Sequence, residues 1–261
     1  MLPRLTAVHL HRFLSSGRSK PAIFGCVDGN GNPAGDYVVK LCGAIDIGTR
    51  AAANELIASL LAEHLGLLRP EPAIVQIHRD LVSWLSMRRP EVARVILGST
   101  GLNFASKHLT DVATWPTGRP LPESMFASAS NVFAFDALIS NDDRRYTNPN
   151  VLVRGDDIFV IDHEAAFSFL YLVGNKEASW AVRNPRSLTE HAFYFQLRKQ
   201  PIDLEMFTAR LAQLGDTALE RIVRAVPNEW RHDGLGRISD HLQTARDHSS
   251  EFSRQVLERL A

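Results

Sequence analysis

The fold is decided by one continuous stretch, FDALISNDDRRYTNPNVLVRGDDIFVID at residues 135–162. The stretch begins inside a predicted helix over 124–139, where apolar residues recur at helical spacing. A polar loop over 141–149 follows. Two short apolar segments, 151–153 and 158–161, are then joined by the turn sequence Arg-Gly-Asp-Asp. This order predicts a helix, a loop and a tight β-hairpin.

Three oxygen-bearing side chains border the predicted hairpin. Asp143 and Asn148 lie in the loop, and Asp162 follows the second strand. Phosphoryl transfer uses such a set, because one carboxylate orients the attacking hydroxyl while a carboxamide and a second carboxylate bind Mg²⁺ through oxygen. The spacing from Asp143 to Asn148 equals the D-x-x-x-x-N spacing of the protein-kinase catalytic loop. We therefore predict that Asp143 is catalytic and that Asn148 and Asp162 bind the metal.

The same stretch departs from the protein-kinase pattern at two places. Asn141 and Asp142 stand where kinases have histidine and arginine, and Asp162-His163-Glu164 replaces the DFG triplet. Asp and Asn are also common in ordinary turns, so an unspecialised loop is the alternative. The position of the loop between a helix and a hairpin favours the functional interpretation.

The first 77 residues predict a small, mostly β lobe. A turn rich in glycine and proline at 28–35 predicts a hairpin. A helix is predicted from Thr49, a suitable N-cap, to Gly66, a suitable C-terminal stop. The strands predicted in this lobe cover 22–27, 37–41 and 73–77.

Cationic side chains that could support phosphates are found in both halves of the chain. Lys40 lies on a predicted strand and Glu55 on the following helix, which matches the kinase lysine that a helix glutamate steadies. Arg145, two residues after Asp143, is a candidate to neutralise the transferring phosphoryl group. For each of these residues the alternative is a solvated surface charge.

A second, weaker candidate for ATP binding is the segment SSGRSK at 15–20. Backbone N–H groups at Ser16 and Gly17 could cradle phosphates, although the segment matches neither the Walker pattern nor G-x-G-x-x-G. A plain turn is the alternative. Ser15, Ser16 and Ser19 are also candidate sites of autophosphorylation.

The rest of the chain predicts a larger, mainly helical C-lobe. Much of 78–122 is predicted as loop because it is rich in glycine and proline. Two lobes therefore follow, a β-rich N-lobe over 1–77 and a helical C-lobe over 78–261, so the fold class is α+β. The helices predicted in the tail cover 188–197, 204–214, 217–226 and 237–260.

Composition argues against several classes of protein. Hydrophobic residues make up 45% and charged residues 22%, which is typical of a folded core and not of disorder. The 29 basic and 29 acidic residues balance, so no overall field favours nucleic acid or an anionic membrane. No apolar run approaches the roughly 20 residues that span a bilayer, and no secretory signal opens the chain. With Cys26 and Cys42 predicted as free thiols, we expect a cytoplasmic protein.

These segments resemble the HipA-like kinases, in particular their compact bacterial branch. The resemblance covers about residues 20–170, with a compatible helical tail. The sequence predicts no extra N-terminal subdomain like that of the larger members, and Glu164 stands where a glycine is common in this branch. The motifs that carry the resemblance are FDALISNDDR at 135–144, NPNVLV at 148–153 and IDHEAAF at 161–167, with softer matches at YVVK 37–40, NEL 54–56 and GLNFAS 101–106.

The resemblance implies a bilobal protein-kinase-like fold that phosphorylates serine or threonine with ATP and Mg²⁺. It implies that Asp143 is the catalytic base, that Asn148 and Asp162 are the metal ligands and that Lys40 binds phosphate. Family members often act as toxins, held in check by an antitoxin protein, and slow growth by phosphorylating a translation factor. A protein substrate and an antitoxin are therefore the implied partners. Two alternatives stay open: a small-molecule kinase on the same fold, and a non-catalytic nucleotide-binding protein that acts by contact.

Overall fold

The computed structural model describes residues 2–14, 20–44, 48–171, 180–182 and 185–261, without the side chains at 44, 185 and 186. Ser16 and Gly17, predicted to bind ATP, lie outside the described residues. Contacts within the chain divide it into two compact units. The first consists of Met1–Leu56, Pro70–Thr110 and Val226–Arg231, and the second of Ile57–Arg69, Asp111–Ala225 and His232–Ala261.

A closed five-stranded barrel forms the core of the first unit. Around the barrel the order is β1-β2-β3-β5-β4, and β4 pairs in parallel with β1 to close it, whereas the other pairs are antiparallel. Closure leaves no unpaired strand edge, which otherwise invites association with other chains. The strands are β1 Arg4–Phe13, β2 Ala22–Val27, β3 Pro33–Val39, β4 Pro72–Ile77 and β5 Gly101–Lys107.

Strand β1, which the sequence did not predict, supplies part of the barrel core. Its inward residues Leu5, Ala7 and Leu10 depart from strict alternation because the pairing with β2 shifts after Ala7 and again after Leu10. Such bulges bend a strand and increase its twist, which helps a short sheet to close. The predicted strand 22–27 is confirmed as β2.

Two helices correct the prediction that much of 78–122 is loop. These are α2 Arg79–Arg88 and α3 Pro90–Leu97, and they follow α1 Gly48–His64 in the chain. Strand β5 pairs with β3 and β4, so the first unit extends to Thr110 and not only to the predicted boundary at 77. The helices belong to this unit because their apolar residues join the barrel core: Leu81, Val82, Leu85, Val92, Ala93 and Ile96.

Helix α1 begins at Gly48, one residue before the predicted cap Thr49, which therefore lies within the first turn. Its predicted stop at Gly66 is confirmed, since this glycine has a left-handed φ of +74° just beyond the helix end. A side chain there would also collide with Arg210, whose guanidinium donates to the carbonyl of Leu65 at 3.0 Å.

The second unit combines a small sheet with helices. The sheet has the order β6-β7-β8, and both pairs are antiparallel. Its strands are β6 Ala113–Thr114, β7 Val151–Arg154 and β8 Asp157–Val160, so the predicted hairpin is confirmed. Helix α4, Phe126–Leu138, confirms the predicted helix over 124–139 and is buried along most of its length.

The tail of the chain is helical, as predicted, but the helix predicted over 237–260 is broken at His248. That residue has φ −115° and ψ 31°, outside the helical region, although no glycine or proline marks the break. None of the helices in the described part of the chain is both long and apolar enough to cross a lipid bilayer. The tail helices are α5 Pro185–Thr189, α6 Tyr194–Leu197, α7 Glu205–Ala212, α8 Asp216–Arg224, α9 Leu235–Asp247 and α10 Ser249–Leu260.

Candidate active site

The loop between α4 and β7 brings two of the predicted site residues into contact. Asn148 donates from Nδ2 to Asp143 Oδ2 at 3.0 Å, and Asn150 donates from Nδ2 to the same oxygen at 3.2 Å. Two carboxamides thus hold one oxygen of the Asp143 carboxylate in place. Asn150 was not predicted to take part.

A tight turn explains why a five-residue spacing places Asp143 beside Asn148. The backbones of Arg145 and Asn148 exchange two hydrogen bonds, each of 3.0 Å, so the chain reverses between them. The residues that flank this turn are therefore side by side. The spacing D-x-x-x-x-N is a consequence of that reversal.

The hairpin carries the third predicted residue to the same part of the unit. Val151 pairs with Val160, and the Ile161 N–H donates to the carbonyl of Asn150 at 3.2 Å, which extends the ladder by one residue. Asp162 follows directly. Asn150 and Asp162 both have left-handed φ angles, +48° and +60°. Such conformations are uncommon outside glycine and concentrate at functional sites.

A buried carboxylate lies behind this loop. Asp136 on α4 is almost fully buried and accepts hydrogen bonds from Asn141 Nδ2 at 2.9 Å, Arg144 Nε at 2.5 Å and His191 Nε2 at 3.0 Å. Burial on its own would raise the pKa of Asp136. The Arg144 guanidinium and the His191 hydrogen bond outweigh that effect and bring the pKa to about 2.

Arg144 joins this carboxylate to the backbone around the hairpin. Its side chain is fully buried, and Nη1 donates to the carbonyls of Asn150, Ile161 at 3.1 Å and Pro149 at 3.4 Å. A guanidinium can do this because its donors form a rigid planar fork. The end of the loop and the end of β8 are thereby held by one side chain.

His191 binds the same oxygen of Asp136 as Arg144, Oδ2, and does so as a neutral ring. The Phe193 N–H donates to Nδ1 at 3.2 Å, so the ring proton is on Nε2 and points to Asp136. Burial lowers the pKa of His191. The chain on either side of His191 pairs with the loop, since Tyr146 N donates to the Glu190 carbonyl and Ala192 N to the Arg144 carbonyl, both at 3.1 Å.

Arg145, predicted as a catalytic residue, lies at the surface of the loop. About half of its side chain is exposed, its Nη1 is 3.2 Å from Glu190 Oε2, and its Nε donates to the Asp142 carbonyl at 2.8 Å. An exposed ion pair of this kind is weak and can exchange for another anion. Arg145 is thus exposed, although its neighbour Arg144 is buried.

The first unit brings Lys40 and Glu55 together. Lys40 Nζ lies 3.0 Å from Glu55 Oε2, and the two side chains are 12% and 4% exposed. Lys40 is the residue after β3 and not within the strand, but its N–H still donates to the Phe104 carbonyl on β5 at 2.9 Å. The pair predicted from the sequence therefore exists as a buried contact, and ATP binding by it stays a prediction.

The donor set of the loop fits a hard divalent cation. Asn148 donates from its nitrogen to Asp143, so its carboxamide oxygen is directed away from that residue. That oxygen and the Asp162 carboxylate are the ligand types that Mg²⁺ prefers. Within the described ranges, no group of three His, Cys, Asp or Glu side chains could hold a metal ion. Two protein ligands suit Mg²⁺ that is bound together with nucleotide phosphates, which complete its coordination.

Sequence reasoning missed Asp136, Asn141, Arg144 and His191 as parts of the site. One signal was present: Asp136 is a charged residue on a helix whose neighbouring residues are almost all apolar. Such a residue is buried only when it is paired. Its partner could not be chosen from the sequence, because Arg144 and Arg145 are adjacent and chemically identical.

Comparisons with known proteins identify a family and a solved structure of similar fold. A family model described as HipA-like kinase matches residues 8–260. The Helicobacter pylori proinflammatory kinase CtkA has the same fold at 11% identity, with a TM-score of 0.53 over 100% of this chain and 98% of that one. The Neurospora crassa PAN3 pseudokinase mutant, at 10% identity, has a TM-score of 0.36 over 98% of this chain and 66% of that one. That value is too low to support an argument. No protein of curated function matches the chain.

Proposed function

The chain belongs to the HipA-like kinase family, and we propose that it is an ATP- and Mg²⁺-dependent kinase that phosphorylates serine or threonine on a protein. We propose also that the two compact units are the lobes of a protein-kinase-like fold. Two expectations rest on family membership alone, a translation factor as acceptor and an antitoxin partner. The expected cytoplasmic location rests instead on the sequence composition.

One observation carries the proposal of catalysis. Asp143 Oδ2 is held by two carboxamides, one of them on the predicted metal ligand Asn148, in a loop whose end is tied to the residue before Asp162. A base and metal ligands fixed to one another are what phosphoryl transfer requires of a protein.

The chemistry assigned to Asp143 is orientation and proton acceptance. The hydroxyl of the acceptor donates to Asp143 Oδ1, and its oxygen forms a bond to the γ-phosphorus of ATP. The bond between that phosphorus and the β–γ bridging oxygen breaks, and ADP leaves with the electron pair. The hydroxyl proton passes to the Asp143 carboxylate.

Three further sets of side chains are assigned to the phosphates. Asn148 Oδ1 and the Asp162 carboxylate would hold Mg²⁺, which supplies positive charge to the phosphate oxygens when it is bound. Lys40, steadied by Glu55 at 3.0 Å, would bind phosphate oxygens through its ammonium group. Arg145 would exchange Glu190 for the transferring phosphoryl group.

Transfer of radiolabelled γ-phosphate tests the proposal. We expect the wild type to label protein, and Asp143→Asn and Asp162→Asn each to lower the rate by about 10²-fold or more, as loss of a base or metal ligand does. Label on a metabolite would instead support a small-molecule kinase. Transfer that survives both substitutions would reject the assigned roles. Growth arrest by the wild type but not by Asp143→Asn would test the toxin role.

A further inference from the structure

The two oxygens of the Asp136 carboxylate lead to different parts of the candidate site. Oδ1 accepts from Asn141 Nδ2 at 2.9 Å, and the other end of that carboxamide, Oδ1 of Asn141, accepts the Asp143 N–H at 3.3 Å. The Asn141 side chain is buried and therefore held by these two contacts. This first arm connects Asp136 to the backbone of the proposed base.

The second arm leaves from Oδ2. That oxygen accepts from Arg144 Nε at 2.5 Å, and Arg144 Nη1 donates to the carbonyls of Asn150 and Ile161. Ile161 is the residue directly before the proposed metal ligand Asp162, which has a left-handed backbone. A guanidinium fixed at its Nε by a carboxylate therefore sets the peptide from which Asp162 projects.

Burial of this network is costly, which argues that it does more than fill space. The Asp136 and Arg144 side chains are both 0% exposed. An apolar pair of similar volume is often as stabilising as a buried ion pair, whereas an ion pair fixes the geometry of its partners. Both arms end on backbone atoms next to proposed functional residues, which is how a supporting residue orients a ligand.

We propose that Asp136 is a shared positioning residue, which sets the catalytic base through Asn141 and the metal ligand Asp162 through Arg144. This inference rests on the proposed function. It predicts that the two arms can be separated by substitution: damage to the Asn141 arm slows transfer without affecting metal affinity, and damage to the Arg144 arm weakens metal binding.

Two variants test the separation. Asn141→Ala removes the first arm, and Arg144→Lys keeps the charge but loses the fork. Mn²⁺ affinity is measured by electron paramagnetic resonance in the presence of a non-hydrolysable ATP analogue, and kcat at saturating Mn²⁺. For Asn141→Ala we expect kcat to fall about 10-fold with Mn²⁺ affinity unchanged, and for Arg144→Lys we expect Mn²⁺ affinity to fall about 10-fold or more, as when a residue behind a metal ligand is lost.

Arg246→Lys is the matched control. Arg246 is also a mostly buried arginine of the second unit that binds carboxylates, Asp216 at 2.5 Å and Asp247 at 2.8 Å, and a carbonyl, that of Leu214 at 3.2 Å. We expect this variant to keep the wild-type kcat and Mn²⁺ affinity. Equal loss of folded protein in all three variants, with unchanged kcat and Mn²⁺ affinity per folded molecule, would overturn the positioning role.

The outcomes remain decisive if a variant does not fold or if transfer is absent. Should Arg144→Lys fail to fold, an unchanged kcat in Asn141→Ala alone overturns the shared role, because the first arm is then without effect. A wild type that binds Mn²⁺ with the nucleotide analogue but transfers no phosphate would reject the proposed function. The Mn²⁺ comparison would still decide the Arg144 arm.

Discussion

A buried ion pair in the first compact unit can be compared with one in the second, because the cations of the two pairs differ in how many partners they have. In the first unit Lys40 contacts Glu55 at 3.0 Å, and 12% of the lysine side chain remains exposed. In the second unit Arg144 contacts Asp136 at 2.5 Å, both side chains are fully buried, and the guanidinium also binds backbone carbonyls. An ammonium can exchange one partner for another, whereas a guanidinium engaged on several sides cannot. Lys40 is therefore suited to bind a ligand, whereas Arg144 is suited to hold the surrounding backbone in place.

The largest effect expected from this contrast is on stability. Arg144→Met would leave the Asp136 carboxylate buried without its cation, which costs about 3–5 kcal/mol of the free energy of unfolding. Its neighbour provides the control, because Arg145 makes an exposed pair with Glu190 and Arg145→Met should cost less than about 1 kcal/mol. Urea denaturation of the three proteins measures the difference. Equal stability of the two variants would show that the buried ion pair of Arg144 stabilises the fold no more than the exposed ion pair of Arg145 does.

Lys40→Met should affect activity more than stability, which is the reverse of the effect expected for Arg144→Met. We expect kcat/KM for ATP to fall about 10²-fold, because the positive charge proposed to bind the phosphates is lost. The free energy of unfolding should fall by less than it does in Arg144→Met. Steady-state turnover and urea denaturation of the same preparations provide both values. A Lys40→Met protein with wild-type kcat/KM would contradict the proposed role of Lys40 in binding ATP.

A smaller effect is expected from the protonation of His191. Because burial lowers its pKa below the usual 6.5, the unfolded chain binds a proton there more readily than the folded protein does. The stabilisation is therefore present above pH 6.5 and is lost as the pH falls towards the lowered pKa of the folded protein. His191→Gln keeps a donor for Asp136 but does not titrate.

The measurement for His191 is the free energy of unfolding between pH 7 and pH 5. We expect a shallower decline in His191→Gln than in the wild type, since the other nine histidines are common to both proteins. Parallel curves for the two proteins would show that His191 is not held as a neutral ring in the network.

The elements that could be predicted are those whose sequence signal lies within a short stretch of the chain. The hairpin of β7 and β8 is encoded by two apolar runs around a Gly-Asp turn, and the end of α1 by Gly66. Strand β1 could not be found, because its bulges interrupt the alternation and its partner β4 is far away in the sequence. Helices α2 and α3 were hidden by the glycines and prolines that surround them.

The candidate site also contains some residues that could be predicted from the sequence and others that could not. Asp143 and Asn148 were identifiable because a short spacing and a known motif connect them, and their contact is local. His191 was not, because 55 residues separate it from Asp136 and only the folded chain brings the two together. Ser16 and Gly17 lie outside the described residues, so their predicted contact with ATP stays a prediction.

The central claim is that Asp143, Asn148 and Asp162 act on the phosphates of ATP. A crystal structure with a non-hydrolysable ATP analogue and Mg²⁺ tests it most directly. We predict a metal ion between Asn148 Oδ1, the Asp162 carboxylate and the phosphates. A nucleotide bound away from these residues, or a metal ion that contacts neither Asn148 nor Asp162, would contradict the account.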